Sequence, residues 1–342
     1  MYQRFFGVEK LPFSITPDPN FLYLTSRHRE ALAGLLFAIT CRKGFMVLTG
    51  DAGTGKTTLL RTMLRRVSAE RTVFSFVVHP TLSTAEFLEY TLLDFGLTDI
   101  PASKAQRLVM FHQFLLRCYS EGKVPVLVVD EAQKLSPELL EEIRLLTNAE
   151  TAEHKLLQII LAGQNELADV LEQDNMRQLR QRIAVRANIG ALSPSEVQQY
   201  MQTRWMRAGA KQDLPFTADG IQAVALYSRG IPRTINVLCD AALVNAFAAE
   251  TRGVDAAAIR AAATDLQLPT AMKGAAAIAV TPAVAPRPVA APTPAVQQVK
   301  KVVEPEDSGV NPLQSLERYM PEDARARPRL ARWVTRIGLG GA

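Results

Sequence analysis

Gly50, Gly55, Lys56 and Thr57 stand in the order G-x-x-x-x-G-K-[ST], with Asp51, Ala52, Gly53 and Thr54 between them and Thr58 after. Glycines at such spacing let backbone N–H groups curl around phosphate oxygens without a Cβ in the way. Lys56 suits the β and γ phosphates of a nucleoside triphosphate, and the Thr57 hydroxyl suits Mg²⁺. A helix opening near Lys56 adds the positive end of its dipole. A second pair, Asp130 and Glu131, closes the apolar run Val126-Leu127-Val128-Val129. Carboxylates at the C-terminal end of a buried strand lie where open α/β sheets bind ligands. Asp130 there suits Mg²⁺ held through water, and Glu131 suits a general base for an attacking water. An acidic strand end that merely opens a loop is the plainer account, and a P-loop on a neighbouring strand argues against it.

These side chains need a scaffold, and the apolar periodicity supplies one. Short β-rich runs at 45–49, 72–78, 124–129, 156–161 and 184–189 read as strands. Between them, stripes such as Leu59, Leu60, Met63 and Leu64, or Phe87, Leu88 and Leu92, read as helices. Alternation of this kind implies an α/β fold, a parallel sheet with helices on both faces. After Ser193 the strand signal stops. Ser193-Pro194-Ser195-Glu196 reads as a capped helix start, Thr217 with Asp219 as another and Pro232 as a third. A small helical domain is expected at 191–268.

The 342 residues, 48% hydrophobic, exclude a chain disordered throughout. A net charge of +5 favours nucleic acid or an anionic membrane only weakly. Cys41, Cys118 and Cys239 are far apart, without a C-x-x-C pair, and read as reduced core thiols. No secretory leader and no apolar run long enough for a membrane span is evident, so a cytoplasmic protein is expected. Prolines among Ala, Val and Thr mark a disordered Pro/Ala-rich extension, with a linker at 269–312 and a tail at 313–342. In that tail Leu330, Trp333, Val334 and Ile337 fall on one helical stripe with Arg329, Arg332 and Arg336 elsewhere. Such a segment suits peripheral contact with the inner membrane, docking on a partner, or plain solvation.

Asp130-Glu131-Ala132-Gln133, the opening Pro17-Asp18-Pro19-Asn20-Phe21-Leu22-Tyr23 and Gly230-Ile231-Pro232-Arg233-Thr234-Ile235-Asn236 together resemble bacterial AAA+ ATPases of the ExeA/GspA type. These serve general secretion, MSHA pilus and exosortase loci, and are related to transposition ATPases. The resemblance covers residues 1–268. It implies a strap and helix at 1–44, a core at 45–190 with a five-stranded sheet of order 5-1-4-3-2, and a helical lid. It implies ATP as the nucleotide and a homo-oligomeric ring or filament. Gln164, or Asn165 beside it, takes the sensor-1 position. The segment Leu179-Arg180-Gln181-Arg182-Ile183 resembles the supplier of a trans arginine, with Arg182 slightly preferred over Arg180 and Arg177 also in range. Arg233 resembles sensor 2, and Phe21, Tyr23 and Leu24 either flank the base or pack on the core. The membrane span and periplasmic region common in the ExeA type are not seen in this sequence.

Two functions share this site. One is an ATP-driven device for cell-envelope assembly with a protein partner from that apparatus. The other is a DNA-binding ATPase of the transposition-regulator type, which would need an aligned basic stripe and a steep salt dependence. An ATP-binding scaffold that hydrolyses little fits less well, because Lys56 and Glu131 are both kept.

Overall fold

The computed structural model describes residues 2–16, 21–67, 70–78 and 81–269. The expected linker beyond Pro269, the tail at 313–342 and the segment Pro17-Asp18-Pro19-Asn20 lie outside the described residues. Five strands form one parallel sheet: β1 (Phe45–Thr49), β2 (Thr72–Val77), β3 (Val124–Val129), β4 (Gln158–Gly163) and β5 (Ile183–Asn188). Their order is β2-β3-β4-β1-β5, which is the expected 5-1-4-3-2 seen from the other edge. β1 and β4 are buried along their whole length, as central strands covered on both faces must be. β5 alternates half-buried with exposed residues, the pattern of an edge.

Helices α1 (Tyr2–Phe6) and α2 (Ser26–Thr40) precede the sheet. Between strands run α3 (Lys56–Arg66), α4 (Thr84–Asp94), α5 (Lys104–Ser120), α6 (Pro137–Leu146), α7 (Asn165–Glu172) and the single turn α8 (Arg177–Arg180). Phe45, Val47, Leu127, Val129, Ile159 and Leu161 share one buried cluster with residues of α4 to α7. The alternate residues Met46, Leu48, Val126, Val128 and Ile160 are equally buried and serve the other face, where α2 and α3 pack. Leu59, Leu60, Met63 and Leu64 line the buried side of α3, as their spacing implies.

β4 begins two residues later than the expected 156–161. Leu156 and Leu157 are buried but precede it, and the strand starts at a polar residue. Gln158 is fully buried with both ends of its amide satisfied. Its Oε1 accepts from the Gly44 N–H at 2.7 Å and its Nε2 donates to the Lys155 carbonyl at 3.1 Å. A buried amide bonded on both sides costs little, which is why the polar residue is tolerated there.

After the sheet come α9 (Pro194–Arg207), α10 (Ala218–Ser228), α11 (Pro232–Ala248) and α12 (Ala256–Asp265). Ser193 and Glu196 make a reciprocal capping box, Thr217 caps α10, and Pro232 opens α11. These helices share a second buried cluster with Tyr2, Phe6, Val8, Phe13 and Phe21. The stretch expected as a strap and helix at 1–44 packs in two places. Its first part packs with the later helices, while α2 packs on the sheet. Arg204 fastens the early part: Nε donates to the Pro12 carbonyl at 2.6 Å, Nη2 to the Ser14 carbonyl at 3.2 Å, and the guanidinium lies over the Phe21 ring. Cys118 and Cys239 are buried, but Cys41 is exposed, correcting its reading as a core thiol. It caps the C-terminus of α2, past the last buried residue of that helix.

Candidate active site

Gly50 follows β1 directly, and the loop turns over Gly53 (φ +83°) and Gly55 (φ +104°), both conformations that a side chain strains. The Thr54 hydroxyl donates to the Asp51 carbonyl at 2.8 Å, closing the turn. Lys56, the first residue of α3, is buried, and its Nζ donates to the carbonyls of Gly50 (2.7 Å) and Asp51 (2.9 Å). Two of its three N–H groups therefore fix the ammonium at the loop, and the third is left for a ligand. Burial pushes this lysine below its ordinary value, while Asp130, Glu131 and Asp51 pull the other way.

The acidic pair sits across the sheet. β4 lies between β1 and β3, so the two motifs are not on adjacent strands as their pairing had suggested. They nonetheless meet: the Thr57 hydroxyl on α3 donates to Oδ2 of Asp130 at 2.7 Å. Asp130 is 4% exposed, and burial raises its carboxyl above the ordinary value; hydrogen bonds from Thr57 and from the Glu131 N–H oppose that rise. A buried carboxylate beside a hydroxyl is a pair of hard oxygen donors, and it fits Mg²⁺, which takes few protein ligands alongside substrate phosphates. Among the described residues, no group of three or more His, Cys, Asp or Glu offers an all-protein metal cage.

Glu131 has φ +55°, a left-handed conformation that costs a non-glycine residue about 1–3 kcal/mol and that concentrates at functional sites. The turn swings its carboxylate off the strand, half-exposed, where Oε2 accepts from Gln133 Nε2 at 2.9 Å. Gln133 stood in the sequence as part of the acidic motif, without a role of its own.

The remaining candidates divide. Asn165 Nδ2 donates to Oδ1 of Asp51 in the loop at 2.6 Å, whereas Gln164 contributes its backbone N–H, to Gln133 Oε1 at 3.0 Å. Of the two alternatives at this strand end, the side chain tied to the loop is that of Asn165. Arg182 donates to the Arg144 carbonyl at 3.4 Å and to the Thr147 hydroxyl, so it holds the C-terminus of α6. Arg180 pairs with Glu172 at 2.7 Å. Arg177 is exposed, and no hydrogen bond or ion pair among the described residues holds its guanidinium. Arg233 lies over the loop: its N–H donates to the Gly53 carbonyl at 3.3 Å, and its guanidinium has no partner among the described residues. Phe21 packs under Arg204, and Tyr23 donates to Gln199 Oε1 at 2.7 Å.

His28, near the start of α2, also touches the loop. Its Nε2 meets the Thr54 carbonyl at 3.2 Å, and its Nδ1 meets the Thr25 hydroxyl at 2.7 Å. A carbonyl only accepts, so Nε2 carries the proton and Nδ1 accepts from Thr25. Burial is the main cause holding this imidazole below its ordinary value. Thr25 three residues earlier, the N-cap of α2, was the available local signal.

Residues 40–171 match a family profile described as an AAA domain. The chain is 43% identical over 249 residues to general secretion pathway protein A of Aeromonas hydrophila, a stretch covering 72% of this chain and 45% of that protein. It therefore spans less than half the length of that relative. Among solved structures, the ORC2 protein of Aeropyrum pernix is similar with a TM-score of 0.54 at 16% identity, covering 75% of this chain and 72% of that one. The Drosophila ORC bound to DNA gives 0.56 at 18% identity, covering 75% and 65%. Identities this low speak to the fold alone. With a P-loop joined to an acidic strand end on a five-stranded parallel sheet, the chain is an AAA ATPase of the general secretion protein A (GspA/ExeA) type.

Proposed function

We propose that the chain hydrolyses Mg·ATP at this site and uses the cycle to drive or regulate assembly of a cell-envelope apparatus such as a secretion system. The observation behind the chemistry is the 2.7 Å bond between Thr57 and Asp130, which joins the phosphate loop to the acidic strand end. The loop amides and the Lys56 ammonium hold the triphosphate tail. Thr57 and Asp130 would hold Mg²⁺, which neutralises charge on the phosphates when bound. Glu131 orients a water and takes its proton as the water oxygen bonds to the γ-phosphorus, and the bond to the β-phosphate oxygen breaks to release ADP. Asn165, tied to the loop through Asp51, is proposed as the neutral amide that holds that water without competing for its proton. Arg233 is proposed to reach the γ-phosphate of its own subunit from the start of α11.

In a homo-oligomeric ring or filament, a neighbour's site would take a trans arginine from the 177–182 segment. Arg177 suits that role best, because Arg182 and Arg180 are committed within the chain. The link to envelope assembly rests on the similarity to general secretion pathway protein A. No helix among the described residues is long and apolar enough to cross a membrane, and we place the protein in the cytoplasm with peripheral membrane contact through its tail.

Two variants and one comparison test this reading. Lys56→Ala should abolish ATP binding in a titration, and Glu131→Gln should bind ATP normally while turnover falls about 10²–10⁴-fold, the usual worth of a general base. Unaltered affinity in the first, or normal turnover in the second, contradicts the site. Adding inner-membrane vesicles or duplex DNA to the ATPase assay separates the two processes. Stimulation by DNA with a steep salt dependence would favour the transposition-regulator reading instead.

A further inference from the structure

The Gln133 side chain occupies a built slot. Its Oε1 accepts from the Gln164 N–H at 3.0 Å, at the end of β4. The slot exists because residue 163 is glycine: a Cβ there would stand 2.9 Å from Gln133 Oε1 and 2.9 Å from Leu167 Cδ2. An N–H can only donate, so the amide oxygen must face Gln164, and the two amide protons must face the other way. That fixes the orientation of the donor that meets Glu131 Oε2 at 2.9 Å. The residue after Gln164 is Asn165, whose amide reaches Asp51 in the phosphate loop at 2.6 Å. A continuous path of short bonds thus runs from the Glu131 carboxylate through Gln133 to the β4–α7 turn and on to the loop.

We infer that Gln133 is a positioning residue for hydrolysis: its amide aims the Glu131 carboxylate at the attacking water and locks that aim to the β4–α7 turn. The inference rests on the proposed role of Glu131 as base. Glu131 needs such a partner, because its backbone is already in a strained turn and its side chain is half-exposed, so nothing else among the described residues short of Lys134 Nζ at 3.8 Å fixes its direction. Phosphate binding is left to the loop and Lys56, so the effect of Gln133 falls on turnover and not on nucleotide affinity.

Gln133→Glu tests this in the full-length chain. It is nearly isosteric and keeps an oxygen for the Gln164 N–H, yet it replaces the N–H donated to Glu131 with a carboxylate oxygen that repels it. The expected result is a fall in kcat of about tenfold to a hundredfold, the range for losing a hydrogen bond to a charged group, with ATP affinity and the unfolding midpoint unchanged. Gln133→Met, which loses both bonds, should lower kcat at least as far. In a Glu131→Gln background, Gln133→Glu should cost nothing more, because the two residues act as one unit. A kcat within twofold of the parent for Gln133→Glu would overturn the inference, and so would a full additive loss in the double variant. Normal turnover of Glu131→Gln alone would instead overturn the catalytic reading beneath it, and the two failures are told apart by that single control.

Discussion

Replacing Gly53 by alanine isolates the contact between the phosphate loop and the later helices. The pattern G-x-x-x-x-G-K-[ST] leaves position 53 free, yet the structure demands glycine there twice over. Its φ of +83° costs an alanine about 1–2 kcal/mol. A Cβ would also lie 2.8 Å from Arg233 Cβ and 3.2 Å from Ile231 Cγ2. Carbon atoms prefer roughly 3.5–4.0 Å, so the start of α11 must retreat by about 0.7 Å. The bond from the Arg233 N–H to the Gly53 carbonyl, already 3.3 Å, would then pass the hydrogen-bond limit and forfeit about 0.5–1.5 kcal/mol. Gly96 provides the control, because it has φ +88° but open space around it. Urea unfolding should therefore give a loss of about 1–2 kcal/mol for Gly96→Ala and roughly 1 kcal/mol more for Gly53→Ala. Equal losses for the two substitutions would refute a direct contact between α11 and the loop.

Two further outcomes are expected. Burial holds the folded His28 imidazole below its ordinary value of 6.5, so below that pH the unfolded chain takes up a proton that the folded chain resists. The His28 contribution to stability is therefore intact above pH 6.5, falls as the pH drops beneath it, and stops falling once the lowered folded value is passed. Unfolding of wild type against His28→Gln at pH 7.5 and at pH 5.5 checks this, since a difference between them that does not change with pH would remove the buried neutral histidine from the account. For the trans arginine, mixing Arg177→Ala subunits with Glu131→Gln subunits should restore turnover that neither has alone. Recovery with Arg182→Ala but not with Arg177→Ala would return the role to Arg182.

The sequence alone determined those features carried by neighbouring residues. The glycine spacing at 50–57 specifies a phosphate loop because glycines at those positions let backbone N–H groups converge on an anion without a Cβ in the way. The apolar run 124–129 specifies a central strand, and Ser193 with Glu196 a helix start, for equally local reasons. Strand order came with the family resemblance and agrees with the sheet. Tertiary structure decided what depends on residues distant in the chain. It brings Thr57 to Asp130, 73 positions away, and Gln133 to Gln164, 31 away. It also decided which arginines are occupied: Arg182 looks available beside Arg180, but the C-terminus of α6 claims it. Periodicity placed β4 two residues early because a buried glutamine reads as polar until its two partners are known. A short motif fixes backbone shape locally, whereas the direction and occupancy of a side chain depend on partners that only the folded chain assembles.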